Sequence, residues 1–299
     1  MTQLKPSDFV EQNNFKASLA LFRDWSAIFL VAAFSIWANN IFVYFLSIWI
    51  IGLFQFALGE VLTHEASHYN LFKKREWNEN LELLYAFPVI STVANYRKHH
   101  LPHHKYLGKK QDYSIALYEQ IGVYKPNNNL FFIWFIQPLI GLATFYLFLG
   151  LHTGIYYELK LLDYRPFQNG FKLSIFWLLI ILTFYLSGNF HLLILYWFIP
   201  LLWPFACFIY WSELRDHFNT QSGTRSNISF LTNLLVHNRG YHYVHHLYPT
   251  IPWYKLPEAQ KALCPDLPDT ANGFFDTYRQ LAITHKQFKI QNSKFKIQN

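Results

Sequence analysis

The chain has 299 residues, 52% hydrophobic and 20% aromatic, with only 14% charged against about 25% in an ordinary soluble domain. So many apolar side chains exceed what a soluble core of this length can bury, which excludes a water-soluble enzyme and points to the bilayer. A net charge of +7 without base-stacking aromatics among the basic residues suits anionic lipid headgroups rather than nucleic acid, and Cys207 and Cys264 build neither a disulfide framework nor a thiolate metal site.

The segment from Met1 to Arg23 is polar, with no short apolar run before a small-residue cleavage site, so it does not read as a cleaved signal peptide. Residues 25–59 then carry no Asp, Glu, Lys or Arg. A helix needs roughly 20 apolar residues to cross about 30 Å of hydrocarbon. This run therefore predicts two spans broken near Asn39-Asn40. The uncharged stretch 126–157 is long for one span and short for two, and a single crossing would separate the first and third histidine clusters described below. It reads as an interfacial or re-entrant helical pair bent at Gln137-Pro138 and Gly141, with Lys160, Arg165 and Lys172 marking a return. Residues 173–212, again uncharged, predict a second hairpin broken near Ser187-Gly188-Asn189. Neither break contains Lys or Arg, so both tips should face away from the cytoplasm. The expected fold is an all-α membrane protein, with four transmembrane helices in two hairpins and a cytoplasmic helical cap. Residues 1–285 form one domain, and 286–299 a basic low-complexity tail built on the near repeat Phe288-Lys-Ile-Gln-Asn and Phe295-Lys-Ile-Gln-Asn.

Three histidine clusters carry the chemistry: His64-Glu-Ala-Ser-His68, His100-Leu-Pro-His103-His104 and His242-Tyr-Val-His245-His246. Positions i, i+3 and i+4 share one face of a helix, so each cluster can aim its imidazoles at a common point. Eight imidazoles are too many for one tetrahedral or octahedral ion, and the pattern asks for two metals. The first cluster also spells H-E-x-x-H, which admits a membrane zinc protease with Glu65 as general base. That reading needs three protein ligands and an open position, and leaves the other two clusters unexplained. Haem held between spans also fits poorly with doubled clusters at the water interface.

Around the clusters, Glu60 stands one helical turn before His64, where a carboxylate can fix an imidazole tautomer or simply reach the interface. Asn238 stands four residues before His242, placed to hold water or metal, or to cap the helix. His237 reads as structural, and His99 falls one residue off the ligand face. His152, His191 and His285 lack metal-like spacing. Gly240 permits a close backbone approach, Pro249, Pro252 and Pro257 predict an extended exit, and Trp253 and Tyr254 suit a membrane-surface belt.

These clusters, their order and the paired apolar runs resemble the membrane fatty-acid desaturase and hydroxylase superfamily. The block from Asn238 to Pro257, containing Gly-Tyr-His-Tyr-Val-His-His-Leu-Tyr-Pro, is similar to that family's third histidine box. Arg97 to Asp112 matches the second box and the acidic position after it, and the similarity spans roughly residues 50–258. The resemblance implies a non-haem di-iron centre using O2 and two external electrons on a lipid C–H bond. It also implies a ninth ligand, His217, behind Asp216 where Glu is more usual. Breaking an unactivated C–H bond requires a redox-active metal, which favours iron over zinc, although imidazoles accept either. No fused haem or ferredoxin domain is visible, so a separate ferredoxin or b-type cytochrome would supply electrons. The expected activity is O2-dependent insertion of a double bond into a lipid-linked fatty-acyl chain. Asp216-His217 and Tyr106-Leu107-Gly108 resemble acyl desaturases; the segment from Ile251 to Ala259 also resembles carotenoid ketolases, so a carotenoid, fatty-acid or sphingoid hydroxylase or ketolase is the alternative.

Overall fold

A computed structural model describes residues 4–109, 111–125, 128–146, 170–267 and 269–283, and helices dominate it. Among the described residues three helices are long and apolar enough to cross a membrane: α1 (Asn14–Ala38), α2 (Ile41–Ser67) and a third, Phe190–His217. At ~1.5 Å per residue the shortest of them measures about 37 Å, longer than the hydrocarbon layer. Their outer faces confirm the solvent they are built for. Trp37 and Phe42 at the α1–α2 junction are 80% and 81% exposed, and Phe171 and Leu186 on the shorter apolar helix Gly170–Leu186 are 79% and 80% exposed, an arrangement that water would penalise and lipid does not. This is a membrane protein.

Local chemistry explains where the helices start and stop. Asn13 accepts hydrogen bonds from the Phe15 and Lys16 amides to begin α1, and Asn40 does the same for Phe42 and Val43 at the start of α2. Asn39 between them takes the left-handed conformation at φ 43°, which Asn tolerates better than most residues. The break read at Asn39-Asn40 is therefore a C-cap followed directly by an N-cap. After α2 come α3 (Val93–Tyr106) and α4 (Tyr113–Ile121). The apolar helix α5 (Gly170–Leu186) is 17 residues long, and α6 (Phe190–His217) follows the break at Gly188, whose φ is 72°. Pro200 and Pro204 cannot donate to the helical ladder, and α6 accommodates them with widened π turns at Ile194–Phe198 and Leu201–Phe205.

The connection between α2 and α3 threads back among the apolar helices. Its carbonyls at Leu84, Phe87 and Pro88 accept hydrogen bonds from the indoles of Trp25 on α1, Trp177 on α5 and Trp197 on α6. Irregular backbone in apolar surroundings must find such partners, and three tryptophans on three helices supply them. Val89 of this segment packs with Phe56, Val61, Leu201, Phe205 and Val236.

The bend foreseen in 126–157 is present as far as the structure describes that stretch. A π turn at Phe132–Ile136 runs into Gln137–Leu139, and Gly141 reverses at φ 88° before Leu142–Thr144. Gln137 and Tyr210 of α6 share a hydrogen bond of 2.8 Å. The expected return leg, with Lys160 and Arg165, lies outside the described residues, as do His152, His285 and the 286–299 tail.

Beyond α6 the chain forms α7 (Phe230–Leu235), α8 (His242–Leu247) and α9 (Leu256–Leu263). A two-residue parallel ladder joins β1 (Ser226–Asn227) to β2 (Thr270–Ala271). Gly240 fulfils its expected role: a Cβ there would lie 2.3 Å from the Asn227 carbonyl oxygen. Pro257 departs from expectation. It occupies the first turn of α9, where a missing N–H costs nothing, so it starts a helix rather than prolonging an extended exit. Trp253 and Tyr254 are half-buried, Trp253 packing on His237 and Tyr254 donating to the Glu11 carbonyl.

Candidate metal centre

Each histidine cluster sits where a helix ends or a short helix is pinned. His64 lies in the last turn of α2, and His68 terminates it. The second cluster occupies the C-terminal half of α3, whose start is capped by Thr92. The third fills α8. His217 is the last residue of α6. Four chain segments thus deliver imidazoles to one region.

The nine histidines anticipated from the sequence come together as two groups. One comprises His64, His68, His100, His104 and His245; the other comprises His103, His217, His242 and His246. Within each, the candidate ligand atoms all lie within 4.8 Å of one another. In the first group Nε2 atoms face each other at 2.9 Å (His68–His100), 2.9 Å (His100–His104) and 3.2 Å (His104–His245). The second group has matching separations of 3.0 Å (His103–His217), 2.9 Å (His217–His242) and 3.1 Å (His242–His246). The groups touch, with the rings of His104 and His246 stacked at 4.1 Å. His99 belongs to neither group, and neither group contains a carboxylate or thiolate.

Hydrogen bonds on the far side of two rings decide what the near side must do. The Nδ1 of His103 lies 2.8 Å from Asp112 Oδ1, and that of His217 lies 3.1 Å from the Gly223 carbonyl. Both acceptors call for a proton on Nδ1, leaving Nε2 as a bare lone pair. The two lone pairs then face each other at 3.0 Å, a repulsive contact unless a cation lies between them. His64 adds a second sign of the same kind, since its buried Nε2 has no hydrogen-bond partner among the described residues. With metal–nitrogen bonds of ~2.1 Å, ligands at right angles would be about 3.0 Å apart and tetrahedral ones about 3.4 Å. The observed spacings lie close to these values, so each donor set fits a metal-holding site.

Burial favours the neutral form of six of these imidazoles. Desolvation, with the Arg97 guanidinium nearby, pushes His68 down to about 4, and desolvation among crowded imidazoles pushes His104 to about 2. His100, His242, His245 and His246 fall well below the ordinary value for the same first reason. Asp112 goes the other way from a buried carboxyl. Burial would raise it, but the His103 ring and the Gly108 and Ser114 amides outweigh that and hold it below the usual range.

Two neighbours read from helical spacing are placed differently. Glu60 does not meet an imidazole: its carboxylate accepts the Tyr96 hydroxyl at 2.6 Å and lies 3.7 Å from Arg239 Nη2. The reason is the π turn at Phe56–Val61, which widens α2 and rotates Glu60 off the His64 face. Glu65 is the nearer carboxylate, with Oε1 3.3 Å from His64 Nδ1 and Oε2 accepting the Trp253 amide at 3.0 Å. Asn238 is not on the His242 face because α8 begins only at His242; Asn238 itself sits in a turn at φ 55°. Asp216 also turns from its neighbour His217. It binds Arg215 at 2.7 Å and Arg239 at 2.6 Å. His237 is structural as expected, bonded to Asp24 at 2.7 Å.

The residues that sequence reading undervalued are Asp112, Glu65 and Arg239. Asp112 lies nine residues beyond His103 and caps a different helix, so no periodicity joins the two. Only the resemblance marked it.

The model of the family described as fatty acid desaturase matches residues 39–278, a range that contains all nine histidines. The chain belongs to the fatty acid desaturase family. It is also 29% identical over 230 residues to the dihydrorhizobitoxine desaturase of Bradyrhizobium elkanii, covering 71% of this chain and 65% of that protein. The chain therefore spans about two thirds of that relative's length. Both histidine groups lie inside the range that the family model matches.

Proposed function

We propose that this desaturase-family member uses two iron ions and O2 to introduce a double bond into a lipid-linked acyl chain. The observation that carries the reading is the pair of touching all-histidine groups, with the Nε2 lone pairs of His103 and His217 turned toward each other. His64, His68, His100, His104 and His245 would hold one iron; His103, His217, His242 and His246 would hold the other. Bound iron supplies the redox chemistry with O2 that C–H cleavage needs. Asp112 and the Gly223 carbonyl orient His103 and His217, and Glu65 borders His64. Glu60 acts at one remove, holding Tyr96 and standing near Arg239.

In this reading α1 with α2 and α5 with α6 are two hairpins, giving four spans, and the histidines face the cytoplasm. The absence of Lys and Arg from both tips supports that orientation. Electrons come from a separate ferredoxin or b-type cytochrome.

Two measurements test the proposal. Metal analysis of purified protein should find about two irons per chain; zinc alone would overturn it and revive hydrolytic chemistry. Mass spectrometry of extracts from cells expressing the chain should show a product two hydrogens lighter than its acyl precursor. A product carrying added oxygen instead would make the chain a hydroxylase or ketolase. Because the relative is named for dihydrorhizobitoxine, compounds other than acyl lipids belong in the same survey.

A further inference from the structure

A small cavity borders both histidine groups. Its walls include His64 and His245 of one group, His242 of the other, the apolar side chains of Val61 and Leu256, and Arg239. It has room for about one water molecule. Glu65 also lines it but is committed through Oε2 to the Trp253 amide.

Arg239 is the exceptional wall. Its side chain is only 8% exposed. Nη1 donates to Asp216 at 2.6 Å, Nη2 lies 3.7 Å from Glu60, and the guanidinium stands over the Phe56 ring. These contacts fix the fork in place, yet Nε is buried and has no hydrogen-bond partner among the described residues. Leaving an N–H of a buried cation unpaired is costly, and a structure that does so beside a cavity reserves the donor for a ligand. The backbone cannot relieve it. Asn238 before it is left-handed, and Gly240 after it is pressed against the Asn227 carbonyl.

The geometry points to Arg239 as the hydrogen-bond donor to a small oxygen ligand, water- or dioxygen-sized, held in this cavity beside both histidine groups. Arg239 is thereby a positioning residue for the ligand that shares the cavity with the metal-binding imidazoles. The fixed fork explains why arginine rather than lysine stands here: Nη1 is spent on Asp216 while Nε remains directed by the same rigid plane. This inference rests on the two-metal reading above.

The test uses iron-loaded, full-length protein with azide as the probe, its binding followed by the absorption band of ferric azide. Arg239→Lys keeps a cation for Asp216 but loses the second donor of the fork. It should bind azide about tenfold more weakly or worse, the loss of one charge-assisted hydrogen bond, with iron content and melting temperature unchanged. Methylguanidinium should restore binding to Arg239→Ala. Azide affinity in Arg239→Lys equal to that of the parent overturns the assignment while leaving the two-metal reading intact. Should the variants lose iron, the structure of the azide complex of the parent protein decides. Azide within hydrogen-bonding distance of Nε supports the assignment, and azide elsewhere overturns it. A parent protein without iron removes both.

Discussion

His103 and His217 show how single side chains define this centre, since each gives its Nδ1 proton to a fixed acceptor and so turns a lone pair inward. Asp112→Asn removes the charge that fixes the His103 tautomer and should lower metal affinity or activity about 10 to 100-fold, measurable as iron content and product formation. His217→Ala should abolish activity as completely as His64→Ala or His245→Ala, whereas exposed His191→Ala should leave it intact. Near-normal turnover in His217→Ala, at matched protein levels, would remove that residue from the site. Protons compete with metal for the same nitrogens. His68 and His104 have folded values of about 4 and about 2, and His100, His242, His245 and His246 also lie well below 6.5, so the unfolded chain takes up protons first as pH falls. Their contribution to stability is complete above about pH 6.5 and drains as pH drops toward 4. The melting temperature of metal-free protein should therefore fall between roughly pH 7 and pH 5, and a flat profile would contradict neutral buried imidazoles.

At the scale of elements, the π turn at Phe56–Val61 connects α2 as a span to α2 as a ligand carrier. It moves Glu60 toward Tyr96 and Arg239, and it places Gly59 against Val89 of the returning 84–90 segment. A Cβ at Gly59 would lie 2.3 Å from Val89 Cγ1. Gly59→Ala should thus destabilise the protein by about 1–3 kcal/mol through overpacking. Val89→Ala in the same chain should recover much of that loss, and thermal unfolding of the two variants checks it. Gly240→Ala has no such rescue, because its obstacle is the backbone carbonyl of Asn227 and a neighbouring Asn233 side chain.

For the whole molecule, one consequence of the metal centre is topological. Residues that meet in one site cannot begin on opposite faces of a membrane. Single cysteines introduced at positions 39 and 188 should react with an impermeant reagent from one side, and those at 109 and 250 from the other. Labelling of 109 and 250 from different sides would break the common-site arrangement. Much of this was legible in the sequence. Uncharged runs marked the long helices, because charge in hydrocarbon is costly over any stretch of backbone. Asn39-Asn40 and Gly188 marked the breaks, and i, i+3, i+4 spacing gathered histidines within each cluster, because both are rules of local geometry. What periodicity could not supply was the division of the nine histidines into five and four, which splits the second cluster between His100, His104 and His103, and the third between His245 and His242, His246. That division depends on how α2, α3, α6 and α8 cross. The same holds for Asp112 against His103 and Arg239 against Asp216. Such pairs are joined through space by packing and hydrogen bonding, and no repeat along the chain encodes them.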